Sequence, residues 1–481
     1  MQLNSYAFIL LFMPIIFLLY FIGNKFGYSL GKVVIIIGSA IFYIYGGWQA
    51  ALILGISIVI NYLLSFVIYR LNKYRKLVVA AGVVLNAGLL LYFKYYNFFI
   101  DNINNVFSQD FQLKELILPL GISFFSFQQI MYIVNVYKKN IEVKFVDYLL
   151  FILYFPKILM GPMAEPNDII RQFDDPDLKK IDWNNIVSGI KIFSFGLLKK
   201  MVIADTFSKA VSWGYSNIDK ATSMDWILVM LAYTFQIYFD FSGYCDMAVG
   251  VSKMLNIELP INFDSPYKAI SIRDFWKRWH MTLTGFLTRY VYIPLGGSRK
   301  GEFRTYINTL IVFLVSGIWH GANWTFVLWG ILHGLFSIID RIFDKAEERL
   351  NYVVRWFGTF SVVNILWLLF RSDSITQWIS ILKNIFTFQN MSVSDGLLKS
   401  FLLSESSFIF DMLHLNGLNN AVRGLSMLIF LCAAMGICLI PDNNYRSMKK
   451  NNYMIMIIAA VAFVWGFLCL GSESVFVYFN F

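Results

Sequence analysis

Histidine is the one side chain whose ordinary titration falls near neutral pH, and this chain of 481 residues has four. Three of them, His280, His320 and His333, lie in one stretch from Arg273 to His333. It opens Arg273-Asp274-Phe275-Trp276-Lys277-Arg278-Trp279-His280 and continues through Tyr292-Ile293-Pro294-Leu295-Gly296-Gly297. It then reaches Ser316-Gly317-Ile318-Trp319-His320-Gly321-Ala322-Asn323-Trp324. An ionisable group between apolar runs is costly at membrane depth, and so is a functional candidate by default. Such a histidine can ligate a metal, relay protons, or act as general base on a hydroxyl. No second His, Cys or carboxylate stands at ligand spacing beside His320, so no metal site is expected. A proton relay could use Asp240, but the two halves of the chain lack the matching broken helices of a transporter. Acyl transfer needs a near-neutral base and a polar group for the oxyanion. His320 and Asn323, with Trp319 and Trp324 packed around them, offer that set within one turn. His333, 13 residues beyond His320 in an apolar helix, reads as a satisfied core histidine.

The elements that position these residues are membrane helices. Hydrophobic residues make up 58% of the chain and charged residues 15%. The apolar residues come in long runs, not in the period of a half-buried helix or strand. Segments 6–22, 33–45, 50–69, 77–93, 226–249, 324–339, 353–370, 425–440 and 453–470 each approach or reach the ~17–25 residues of a crossing. Weaker segments at 118–136, 186–204 and 306–319 bring the expectation to about 12 spans. The first run has no basic residue ahead of it and no small-residue cleavage pattern, so it is expected to stay as a span. The fold class is therefore an all-α polytopic membrane protein, read as one integral-membrane domain over 1–481: N-terminal helices 1–140, a core 141–340 with His280 and His320, and C-terminal helices 341–481.

The net charge of +10 does not point to nucleic acid, because the basic residues concentrate between spans, as the positive-inside rule requires. The basic run Arg70 to Lys76 sets that loop on the cytoplasmic side, and counting spans puts both termini and the region 371–424, with the fourth histidine, His414, outside. Segment 145–163 is broken by Pro156 and Gly161-Pro162 and reads as a re-entrant stretch, with a kinked span as the alternative. Segment 273–304 mixes cations with tryptophans, as an interfacial helix on the cytoplasmic side would. In span 226–249, Gln236, Asp240 and Tyr244 share one helical face, either as an interhelical hydrogen-bond stripe or with Asp240 facing a wet cavity. A helix over 306–319 covers only about 20 Å, so starting from the cytoplasmic surface it leaves His320 inside the membrane. Gly317 and Gly321 give room for close backbone approach. The four cysteines, Cys245, Cys432, Cys438 and Cys469, have no paired spacing and read as small buried hydrophobes.

Arg278-Trp279-His280, Tyr292-Ile293-Pro294-Leu295-Gly296-Gly297 and Trp319-His320-Gly321-Ala322-Asn323-Trp324 together resemble the membrane-bound O-acyltransferase (MBOAT) family. The likeness is strongest to its bacterial alginate O-acetyltransferase branch. Asp240-Phe241-Ser242-Gly243-Tyr244, the run Gly121 to Gln128, Phe155-Pro156 with Gly161-Pro162 and the Phe-rich tail 477–481 are similar to that branch as well. The resemblance implies a ring of helices with re-entrant and interfacial pieces around a central tunnel. It implies an acyl-CoA donor, expected to be acetyl-CoA, entering from the cytoplasm, and a polysaccharide acceptor outside. By the same resemblance His320 is the catalytic histidine and His280 a second functional one. Asp240, Asn323, Trp319, Gln236 and Tyr244 are expected as tunnel or substrate-binding groups, and Arg278 near the donor end. An extracytoplasmic SGNH-type partner is implied too. The alternatives are D-alanyl transfer to teichoic acid, a transporter or flippase without covalent chemistry, and a scaffold that only docks an enzyme.

Overall fold

The computed structural model describes residues 1–71, 73–139, 141–347, 349–403, 419–441 and 452–471, with the single positions Met412, Asn443, Tyr445, Phe476 and Val477. His414, Arg446, Lys449, Lys450 and most of the tail 472–481 lie outside the described residues. Every regular element among the described residues is helical. Among the described residues, seven helices are long and apolar enough to cross a membrane: Phe8–Phe26, Trp48–Arg70, Arg75–Phe107, Trp324–Ile342, Tyr352–Arg371, Ala421–Leu439 and Tyr453–Gly471, with a shorter one at Ser29–Ile44. The weaker expected segments also fold as helices, at Ile122–Lys139, Trp183–Leu198 and Glu302–His320, as does Ser223–Met254. These carry buried polar side chains that dilute their apolarity, and Trp183–Leu198 is also short at 16 residues, so among the described residues seven helices, not the twelve expected, have the length and apolarity of a crossing. The chain divides into two compact units, Met1–Ser194 with Tyr244–Ile261, and Phe195–Gly243 with Asn262–Phe481.

In the first unit, helices present bare apolar faces such as Ile15, Leu18 and Leu52 outward, as a lipid-facing surface requires. Their inner faces are joined by amides. Gln129 Oε1 accepts from Ser57 Oγ at 2.8 Å and from Asn61 Nδ2 at 2.6 Å, and Asn86 Nδ2 donates to Asn61 Oδ1 at 2.6 Å. Without water, such bonds are what tie apolar helices to each other. The expected break near Pro156 is present. Helix Phe145–Leu153 ends at Tyr154 (φ −44, ψ 104), a four-residue helix Phe155–Ile158 follows, and the chain runs irregularly to Pro166. Irregular backbone is tolerated at this depth only when buried in protein, and residues 150–164 are all buried. Ser39 Oγ accepts from Phe155 N at 3.1 Å, and the Tyr154 and Ser252 hydroxyls lie 2.7 Å apart.

In the second unit the segment 273–304 forms no span. It folds as two seven-residue helices, Ile272–Arg278 and Met281–Leu287, a π-turn Thr288–Tyr292 and a glycine turn, before helix Glu302–His320 begins. That helix and Trp324–Ile342 form a hairpin pressed together at glycines. A Cβ on Gly317 would collide with Phe326 O, and one on Gly330 with Phe313 O. Gly330→Ala should therefore push the two helices apart and cost about 1–3 kcal/mol by overpacking. A thermal-melting midpoint within error of wild type in detergent would refute this. None of the four cysteines forms a disulfide among the described residues, and only Cys245 and Cys438 are buried; Cys432 is exposed and Cys469 intermediate, because the helices holding the latter two turn those positions outward.

Candidate active site

His320 is the last residue of its helix, and Gly321 leaves it in extended conformation (φ −164). The imidazole is 4% exposed and boxed by aromatic rings: Trp319 at 4.9 Å, Trp329 at 5.2 Å and Phe370 at 5.3 Å between centroids, all edge-on. Trp319 also lies 6.2 Å from His280, so one indole touches both histidines. The sequence reading put Trp324 in this box, but Trp324 is 55% exposed. The chain turns at Gly321-Ala322-Asn323, so the next helix starts with that side chain pointing away. Trp329, about one and a half turns later, and Phe370, from helix Tyr352–Arg371, take that place. Phe370 had a signal in its spacing of three from Trp367, on the same helix face; Trp329, five residues after Trp324 and on another face, had none.

Asn323 is not positioned as an oxyanion donor in this state. Its Oδ1 caps the next helix by accepting from Thr325 N at 3.0 Å, and its Nδ2 donates to Asp373 O at 2.9 Å. The type that looked chemically useful is the type favoured at a helix start.

His280 is fully buried and sits at φ 43, ψ 50, a left-handed conformation that costs a non-glycine residue energy and tends to mark functional positions. Asn262 holds the turn. Its Oδ1 lies 3.3 Å from His280 Nδ1 and accepts from Thr282 N at 3.2 Å and Thr282 Oγ1 at 2.6 Å. Phe241 meets the ring edge-on at 4.8 Å. Burial pushes this imidazole down to about 3 from 6.5, so it is neutral at physiological pH. An unfolded chain takes up a proton there more readily. The stabilisation is thus complete above about pH 6.5 and lost as the pH falls towards 3. Thermal stability should decline across that window, less steeply in His280→Asn, which removes the titrating ring and tolerates φ > 0. Identical pH–melting curves for the two proteins would count against this.

Arg278 points elsewhere. Its Nε donates to Asp274 Oδ1 at 2.9 Å, and its Nη1 to Asp264 O at 3.4 Å. His333 is fully buried, and its Nδ1 accepts from Trp276 Nε1 at 3.2 Å, while its Nε2 has no hydrogen-bond partner among the described residues, so the ring is only half satisfied. Helix Ser223–Met254 supplies Gln236 (8% exposed) and Asp240 (2% exposed) to the second unit, and the fully buried Tyr244 to the first. Asp240 is an ion-pair member: Lys200 Nζ donates to its Oδ1 at 2.6 Å and to Asp205 Oδ1 at 2.9 Å, while Val477 N donates to Asp240 Oδ2 at 3.0 Å. Lys200 also lies 4.4 Å from the Phe476 ring centroid. The sequence reading missed Lys200; its signal was the Lys199-Lys200 pair inside the apolar run 186–204. Among the described residues, no group of three or more His, Cys, Asp or Glu is placed to hold a metal ion.

The molecule is thus a multi-pass membrane protein with two buried histidines sharing one indole, a grouping suited to transfer chemistry on a polar substrate. The chain belongs to the membrane-bound O-acyltransferase (MBOAT) family, whose model matches residues 41–375, and it is a membrane O-acyltransferase. A relative, the peptidoglycan O-acetyltransferase of Helicobacter pylori, is 36% identical over 99% of this chain and 97% of its own length. The probable alginate O-acetylase of Pseudomonas putida is 34% identical over 82% of each chain. The teichoic acid D-alanyltransferase of Bacillus subtilis is 26% identical over 52% of this chain and 66% of its own.

Proposed function

We propose that this chain is an O-acetyltransferase of the cell membrane, taking acetyl from a cytoplasmic thioester, acetyl-CoA, and delivering it for esterification of an extracytoplasmic polysaccharide. An SGNH-type partner outside completes the transfer, and both termini face that side. The observation that carries this reading is the buried His320–Trp319–His280 grouping, in a chain similar along its whole length to a peptidoglycan O-acetyltransferase. That relative makes peptidoglycan the first acceptor to test. His320 takes the proton of the attacking hydroxyl. The oxygen bonds to the thioester carbonyl carbon, the C–S bond breaks, and the thiolate leaves to take a proton. Neutral His280 and Trp319 line the passage, and Gln236 and Asp240 tune its polarity. Asn323 can serve the oxyanion if it releases Asp373.

The experiment is reconstitution of the full chain in vesicles with radiolabelled acetyl-CoA. Release of free CoA together with label in added glycan supports the reading. Uptake of substrate without CoA release would establish a transporter instead. D-alanyl transfer is a second reading, resting on the lower similarity to the teichoic acid enzymes; a D-alanyl thioester used in preference to acetyl would establish it.

A further inference from the structure

Helix Trp324–Ile342 carries Thr325, Trp329, His333 and Ser337 at four-residue intervals, along one face. All four side chains are buried, and each keeps a polar atom with no hydrogen-bond partner among the described residues: Thr325 Oγ1, Trp329 Nε1, His333 Nε2 and Ser337 Oγ. Buried polar atoms are ordinarily bonded, so a face with four such atoms is suited to receive a polar group. The two central residues differ from the hydroxyls at the ends. An indole N–H only donates. His333 Nδ1 accepts from Trp276 Nε1 at 3.2 Å, so the single proton of the neutral imidazole belongs on Nε2. A proton on both nitrogens would set two N–H groups against each other, and Trp276 thereby holds His333 as a neutral donor. Trp329 and His333 thus offer two N–H groups and no acceptor, with their rings 4.6 Å apart. Trp329 also lies 5.2 Å from His320.

We propose that Trp329 and His333 are the donors that hold the oxyanion of the acyl transfer, an assignment that rests on the acyltransfer reading above. As the hydroxyl oxygen adds to the thioester carbonyl carbon and gives its proton to His320, the carbonyl π electrons move onto the carbonyl oxygen. Two N–H groups fixed among buried aromatic rings stabilise that charge without reorganising, and a neutral imidazole can act as the electrophile. Those electrons return to the carbonyl as the C–S bond breaks, and His320 passes its proton to the departing thiolate. The attacking hydroxyl stands about 3 Å from its base and the oxyanion about 3 Å from its donors. The donors therefore belong about one ring's width from His320, where Trp329 and then His333 lie. Asn323 would first have to release Asp373, whereas these two N–H groups have no bond to break. Ordered water is the competing occupant, and the hydroxyls at the ends of the face would serve it as well as the centre does.

The test is turnover of acetyl-CoA by the full chain in vesicles with glycan, alongside thermal melting and the affinity for an anionic phosphonate analogue of the tetrahedral adduct. His333→Met, close in bulk, and Trp329→Phe, still aromatic, each remove one N–H. Each should lower kcat by about 10²–10³-fold with KM unchanged, and weaken the phosphonate by a like factor. His333→Gln, whose amide can accept from Trp276 and still donate, should restore most of kcat. Thr325→Val, at one end of the face, should turn over as wild type does. Full kcat in both His333→Met and Trp329→Phe would overturn the assignment and leave the acyltransfer reading standing. So would losses that follow the melting midpoint while phosphonate affinity is unchanged, since the rings would then be packing elements. Turnover in Thr325→Val as low as in the central variants would overturn it too, and give the face to ordered water. No release of CoA by the wild type would overturn the acyltransfer reading, and this assignment with it.

Discussion

Replacing His320 by alanine should lower acetyl transfer by about 10²–10⁴-fold, the range a positioned general base contributes, while the protein inserts and purifies as wild type does. The expectation follows from where the ring sits. It ends a helix and is enclosed by Trp319, Trp329 and Phe370, so the surrounding dielectric is low and a proton moved to it is held by few competing groups. Its loss leaves a small cavity lined by aromatic rings, which costs stability but should not abolish folding. His320→Gln, with nearly the same volume and no basic nitrogen, separates the two effects. If both variants acetylate polymer normally, the imidazole is not the base. If Gln restores activity and Ala does not, its role is shape.

Lys200→Met should destabilise the protein by about 3–5 kcal/mol, the cost of leaving a buried charge without its partner. Both side chains of the pair are nearly sealed, at 1% for Lys200 and 2% for Asp240, and Asp205 loses the same cation. Asp240→Asn should cost less, because an amide can still accept from Val477 N. Joining Lys200→Met to Asp240→Leu should recover part of the loss, since only Asp205 is then left without its cation; a double loss equal to the sum of the Lys200→Met and Asp240→Leu losses would argue against coupling. Thermal unfolding in detergent measures all three. A severe loss of turnover in Asp240→Asn at unchanged stability would mean that Asp240 acts on substrate rather than on the fold.

The lipid-facing helices were legible from the sequence because hydrocarbon allows only long apolar runs. The helices of the candidate site were less apolar, for the same reason in reverse. Helix Ser223–Met254 holds Gln236, Asp240 and Tyr244 in its interior, which dilutes its apolarity. His280 and His320 stood out by type and by their preceding tryptophans, yet nothing local said that Trp319 would touch both. Asn323 and Trp324 show the limit of adjacency: three or four residues from His320 lies within one turn only if the helix continues, and it stops at Gly321. Asp240 was visible and Lys200 was not, because the pair is joined across 40 positions and each alone looked like an isolated polar residue. Arg278 looked ready for a donor phosphate until Asp274, one turn back on the same short helix, was seen to hold it.

The third bond to Asp240 comes from Val477, 237 residues further along the chain. At roughly 5–20 residues per second of synthesis, that amide leaves the ribosome about ten to fifty seconds after the carboxylate it serves. For that interval the nascent chain carries its central acid with Lys200 alone as company. A stalled or prematurely released product ending before residue 476 would keep it that way, and should be a preferred target for membrane proteases.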